Sequence, residues 1–187
     1  ELEDIKKQIW NTLHSNGKVV IPAFSMQRSQ QLMLLIWKQF KDNDKFDFPV
    51  IVDSRLTKRI NGVFRSVLKG KDKEEWEQCL GWKNFKFIES YPDTIALISS
   101  RKPCVVITSG GMVQAGHSVD WVASSIDCSR DMIMVVGYVP EGSILDKLLK
   151  GGLRDWVEAC FTVESDIDKL GDMMVEAIEK KREALGI

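Results

Sequence analysis

Histidine is almost missing from this chain: its 187 residues include two, His14 and His117. A zinc centre needs a cluster of histidine, cysteine or carboxylate ligands. Neither an HxHxDH nor an HExxH run occurs, so no metal site is expected within these residues. The four cysteines (Cys79, Cys104, Cys128 and Cys160) show no CxxC spacing. That excludes a disulfide framework and a cysteine zinc site, and it fits a reducing, cytoplasmic setting. There is no excess of positive charge, with 26 Lys and Arg against 27 Asp and Glu, so any nucleic-acid contact has to be local. No run is long and apolar enough to span a membrane, and no signal-peptide pattern is present. GxSxG, P-loop and GxGxxG runs are missing too, which weakens a dinucleotide-binding reading.

Hydrophobic residues make up 44% of the chain, which argues against disorder and supplies one good core. The first residues, from Glu1, already follow a helical pattern, and the chain is read as a piece of a longer protein. Leu2, Ile5, Ile9 and Leu13 recur at helical spacing, and Asn16-Gly17 stop the helix. Strands are expected at 18–23, 48–52, 85–88, 104–108 and 132–136, each a short apolar run bounded by turn residues. Helices are expected at 29–40, after Asp53-Ser54 as far as Leu68 with a weak point at Gly62, around Glu75–Leu80, from Pro92 to Ser99, at 118–126 and at 141–149. Gly151-Gly152 mark a boundary between 1–152 and 153–187, with a strand at 160–163 and a helix at 166–185 beyond it. Alternating strands and helices predict an α/β fold of three layers, a mainly parallel sheet covered by helices on both faces.

The most informative segment is Pro103-Cys104-Val105-Val106-Ile107-Thr108-Ser109-Gly110-Gly111-Met112. A β-branched run stops at Ser-Gly-Gly, and a helix follows a few residues later. Loops at the carboxyl ends of parallel strands are where open α/β sheets bind ligands, and a nearby helix N-terminus suits an anion such as phosphate. Three further strand ends carry small or polar groups: Phe24, Ser25 and Arg28; Asp53 and Ser54; Gly137-Tyr138 with Glu141-Gly142. A parallel sheet brings all four to one edge, where Arg28 can clamp a phosphate. Each also has a plainer reading. Arg28 can be a surface residue, Asp53 the N-cap of the next helix, Ser109-Gly110-Gly111 a tight turn and His117 a solvated loop residue. His14 reads as a surface or capping residue at a helix end.

Four blocks in order resemble the β-CASP domains of metallo-β-lactamase-fold nucleases such as RNase J and the pre-mRNA 3′-end cleavage endonuclease. Gly17 to Leu32, GKVVIPAFSMQRSQQL, is similar to the pattern GKVLIPAFALGRAQEL; Pro49 to Ser54, PVIVDS, to PVYLDS. Pro103 to Gly116 is similar to PMVVIASPGMLQGG, and Val135 to Ser143, VVGYVPEGS, to LTGYQAEGT. The resemblance implies that 1–152 is a β-CASP domain lying as a lid over a metallo-β-lactamase domain of the same protein, and that 153–187 returns toward that domain. It implies zinc in the whole protein and none held by these residues, and a single strand of RNA, or of DNA, in the cleft. Ser25, Arg28 and the amides of Ser109, Gly110 and Gly111 would hold phosphates. Asp53 and Glu141 would order the loops, with Ser54, His117 and Tyr138 beside the cleft. No residue here would be catalytic.

The departures are Gly110, where the pattern has proline; Asp53-Ser54-Arg55, where it has DSP; and Asp166, where it has the histidine of SAHAD. If Asp166 replaces that histidine, the whole protein reads instead as a non-catalytic RNA-binding or scaffold subunit. A stand-alone mononucleotide binder ranks last. RNA against DNA, endonuclease against exonuclease, and monomer against homodimer stay open.

Overall fold

The computed structural model describes residues 2–126 and 128–150. The elements run α1 (Leu2–His14), β1 (Val19–Ala23), α2 (Arg28–Phe40), β2 (Val50–Asp53), α3 (Arg55–Val67), α4 (Gly70–Leu80), β3 (Phe85–Ile88), α5 (Tyr91–Ser99), β4 (Val105–Ser109), α6 (His117–Ile126) and β5 (Met132–Ile133). The main compact unit ends at Ile144. A helical run over 144–150 follows, with a Lys150–Asp146 ion pair of 3.0 Å inside it. The strand expected at 160–163 and the helix at 166–185 lie outside the described residues.

The five strands form one sheet in the order β3-β2-β4-β1-β5, and every pairing is parallel. β1 and β2 are buried along their whole length, which is why they read as unbroken apolar runs rather than alternating ones. Side chains on a strand still alternate between faces. Val19, Ile21, Ala23, Val50, Val52, Val105 and Ile107 share a core with α1, α2 and α4, built around Leu13, Met33, Phe40 and Trp76. The opposite parity, Val20, Ile51 and Val106, is equally buried and faces the side where α6 lies on β1 and β4. This confirms the three-layer arrangement. It also decides where Asp53 goes, because Asp53 has the parity of Ile51.

Local chemistry sets the element ends. Asn16 takes φ 57° after α1, and a Cβ at Gly17 would stand 1.9 Å from the Arg130 carbonyl oxygen, so only glycine fits there. Ser54, not Asp53, caps α3: its hydroxyl accepts from the Thr57 amide at 3.1 Å. Ser90 caps α5, with Pro92 in the first turn as expected. Several details differ from the sequence reading: α4 starts at Gly70 rather than near Glu75, and the last helical run covers 144–150 rather than 141–149. β2 starts at Val50 rather than Phe48 because the Asn84 amide takes the Phe46 and Phe48 carbonyls at 3.1 and 2.9 Å. β5 is two residues long, since Met132 and Ile133 alone register with β1. Gly62 does not interrupt α3; it sits mid-helix with open space around it.

No described helix is long and apolar enough to cross a membrane. Cys79 and Cys104 are free and buried, and burial pushes each thiol up to about 12. Iodoacetamide at about pH 8 is expected to leave both unmodified in the native chain and to label them after denaturation, by peptide mass mapping. Native labelling of either at the rate of an open thiol would contradict the packing.

Candidate functional site

All five strands point their carboxyl ends to one edge, and the loop after β1 is the most firmly held feature there. Ser29 donates its hydroxyl to the Phe24 carbonyl at 2.7 Å. Gln30, fully buried, donates its amide to the Ser25 carbonyl at 3.1 Å and to Asn61 of α3 at 2.9 Å. The Ser25 and Ser54 hydroxyls bond at 3.1 Å, joining the loops after β1 and β2. Gln27 takes φ 63° and turns the chain into α2, so Arg28 is the first helical residue.

Arg28 thus stands at the rim of a groove of 620 Å³ lined by Phe24, Ser25, Met26, Gln31, Leu56 and Gly110, among others. Its guanidinium donates to Gln31 at 3.2 Å and lies beside Gly137, where a Cβ would be 3.7 Å away. No carboxylate among the described residues pairs with it. Phe24, Met26 and Leu56 are each more than half exposed, so the groove has apolar walls and one cation. Tyr138 is exposed next to Gly137, and Glu141 lies in an exposed turn and does not line the groove.

The glycine loop is tighter than a simple cradle of three amides. Gly110 has φ +105°, and a Cβ there would meet the Ala115 carbonyl oxygen at 2.2 Å and the Ser118 hydroxyl at 2.4 Å. The Val113 amide and the Ser118 hydroxyl both donate to the Gly110 carbonyl, at 2.9 and 2.8 Å. Proline holds φ near −65°, so the glycine at this position marks a different backbone path from one that proline could follow. Of the expected trio, Gly110 lines the groove. A Cβ added at Gly111 would stand 3.3 Å from the Phe24 ring, and Ser109 ends β4 opposite Ala23.

Asp53 is a buried hub. Its Oδ2 accepts from Trp121 Nε1 at 2.7 Å and from the Thr94 hydroxyl at 2.9 Å; its Oδ1 accepts from His117 Nδ1 at 2.8 Å. Three donors from α5 and α6 offset the cost of placing a carboxylate at 1% exposure. His117 is therefore not a solvated loop residue: it opens α6 and is tied to β2. Beside it, Asp120 has its carboxyl raised by burial, against the lowering by the nearby Tyr91 hydroxyl. The Tyr91 phenol is raised, first by burial and then by Asp120.

Among the described residues, no three His, Cys, Asp or Glu side chains converge to hold a metal ion. These residues do not fit a zinc centre, and no chemical step is assigned to a metal on them. Asp166 lies outside the described residues.

A family profile described as the Beta-Casp domain matches residues 29–148. The chain belongs to the β-CASP family. It is 24% identical to transcription termination factor FttA of Methanosarcina mazei over 94% of this chain and 28% of that protein. It is 24% identical to Integrator complex subunit 11 of Gallus gallus over 79% of this chain and 24% of that protein. An RNase J-like protein of Methanocaldococcus jannaschii is 26% identical over 78% of this chain and 34% of its own length. The chain thus spans about a quarter to a third of these relatives. The β-CASP match takes in α2 to the glycine loop and beyond, and Arg28 lies one residue before it.

The sequence reading missed four residues of this β-CASP edge: Tyr91, Thr94, Asp120 and Trp121. All lie in the first two turns of helices that follow strands, the one signal that marks them.

Proposed function

We propose that this β-CASP domain clamps a single strand of RNA at the carboxyl edge of its sheet, as part of a metal-dependent RNA-cleaving hydrolase. The observation that carries the reading is the Arg28 groove, a cation with no carboxylate partner among the described residues, set among the apolar walls of Phe24, Met26 and Leu56. An arginine there suits a phosphodiester, and exposed aromatic surface suits an unpaired base. The near-neutral charge of the chain is compatible with this, because the contact is local. Hydrolytic chemistry belongs to the remainder of the protein, where paired zinc ions would activate a water.

Arg28→Ala is expected to weaken binding of single-stranded RNA and to reduce the slope of log affinity against log salt by about 0.7, the value for one lost phosphate contact. Titrations of the full chain across a salt series measure this. An unchanged slope removes Arg28 from the interface.

One observation favours a second reading. Asp166 stands where the resembling pattern has histidine, which suits a non-catalytic RNA-binding subunit. Zinc content and cleavage of labelled RNA by the whole protein separate the two. Chelator-sensitive cleavage supports the hydrolase, and RNA binding with neither zinc nor cleavage supports the subunit.

A further inference from the structure

Two aromatic rings stand at the same edge, each with a carboxylate beside its polar atom. His117 Nδ1 is bonded to Asp53 Oδ1 at 2.8 Å, and the Tyr91 hydroxyl lies near Asp120. The ring centroids are 5.4 Å apart at 55°. Tyr91 opens α5 after β3, and His117 opens α6 after β4; these are the two strands that flank β2. Tyr91 is 44% exposed and the His117 side chain 28%, so neither ring is closed off by the core.

Asp53 cannot swing away, because Trp121 and Thr94 hold its other oxygen. In the neutral ring, Nδ1 donating to Asp53 leaves Nε2 as the acceptor. No partner for Nε2 occurs among the described residues. The surroundings oppose a phosphate here. Asp53 from β2 and Asp120 from α6 both face the ring, Tyr91 faces it from α5, and among the described residues no lysine or arginine pairs with either carboxylate. A neutral donor is what an acceptor nitrogen in this setting takes.

We propose that Tyr91 and His117 form a subsite for one ribonucleoside of the bound strand. The base stacks on the Tyr91 ring and the sugar 2′-hydroxyl donates to His117 Nε2. That hydroxyl is the group by which a protein distinguishes RNA from DNA, and stacking on an aromatic ring tolerates any base. Asp53 is the positioning residue that sets the tautomer. The subsite rests on the reading of this edge as an RNA-binding surface.

The test compares affinities of the full chain for a mixed-sequence ribo-oligonucleotide, its deoxy counterpart and its 2′-O-methyl counterpart. The unmodified chain is expected to bind the ribo strand roughly three- to tenfold more tightly than the other two. His117→Ala brings the ribo affinity down to the deoxy value and leaves the deoxy value unchanged. Tyr91→Leu weakens both strands, and Tyr91→Phe restores most of the loss. Equal binding of the three strands by the unmodified chain overturns the subsite, as does a His117→Ala variant that weakens ribo and deoxy strands alike. The three-strand comparison needs no variant, so it decides even if His117→Ala does not fold. RNA binding with an Arg28-dependent salt slope but no 2′-hydroxyl discrimination overturns the subsite alone. No RNA binding at all overturns the groove reading with it.

Discussion

Asp53→Ala is expected to lower the stability of the chain by about 3–4 kcal/mol, because three donors converge on one buried carboxylate. Removing it leaves the buried Trp121 indole N–H without its acceptor and the buried Thr94 hydroxyl with the longer bond to the Ser90 carbonyl. It also releases β2 from α5 and α6 together. For a domain of this size the loss corresponds to a fall in melting temperature of roughly 8–14 °C. Asp53→Asn is expected to cost less, about 1–2 kcal/mol, because an amide oxygen still serves the indole and the hydroxyl. Its NH2 would then face His117 Nδ1 and drive the ring into the opposite tautomer. Thermal and urea unfolding of both variants, with 15N spectra of the imidazole, measure the two effects. A melting curve for Asp53→Ala within 2 °C of the unmodified chain would show that the hub does not hold these elements together.

Gly110→Ala is expected to cost about 2–3 kcal/mol and to impair RNA binding as well. The backbone at φ +105° disfavours any side chain, and the added Cβ would lie 2.2 Å from a carbonyl oxygen of the same loop. A carbonyl on a closed turn has nowhere to move, so the turn itself has to open. The Ser118 bond to Gly110 breaks with it. Gly62→Ala is the internal contrast. Nothing lies within 4 Å of its added Cβ, and the site is mid-helix, so the substitution is expected to stabilise by about 0.5–1 kcal/mol. Denaturant unfolding ranks the two variants. Similar midpoints would mean that the glycine loop relaxes freely.

Much of the fold was legible because a buried parallel strand announces itself as a β-branched run ending in turn residues. Val50 to Asp53 and Val105 to Ser109 both read that way. The ends were less legible, since they depend on partners rather than on composition. The apolar run at Met132 to Val136 looks like a five-residue strand, yet two of its residues alone register with β1. At the site, the clustering of loops at one edge followed from parallel topology, and Arg28 followed from the turn before α2. The destination of Asp53 did not. Asp and Ser at adjacent positions are both competent caps, and only the strand parity, seen once the helices are assigned to faces, turns Asp53 toward α6 and leaves the cap to Ser54. His117 was ambiguous for the same reason, because its partner lies 64 positions away.

The position of β1 in the sheet has a consequence for how the chain is made. β1 is the first of the five strands of this sheet to be synthesised, but its neighbours are β4 and β5, so its pairing waits until residues 105–133 exist. β2 and β3, by contrast, pair across a single crossover and can assemble early. During translation, the five apolar or β-branched residues from Val19 to Ala23 therefore remain without hydrogen-bonding partners while more than eighty residues are added. Late closure of this kind slows folding and leaves an adhesive segment in the open. Helix α1, directly upstream, brings Ile9 and Leu13 to the same core as Val19 and Ile21. It is already on the nascent chain when β1 emerges and, with α2 after it, can shield β1 until β4 is made.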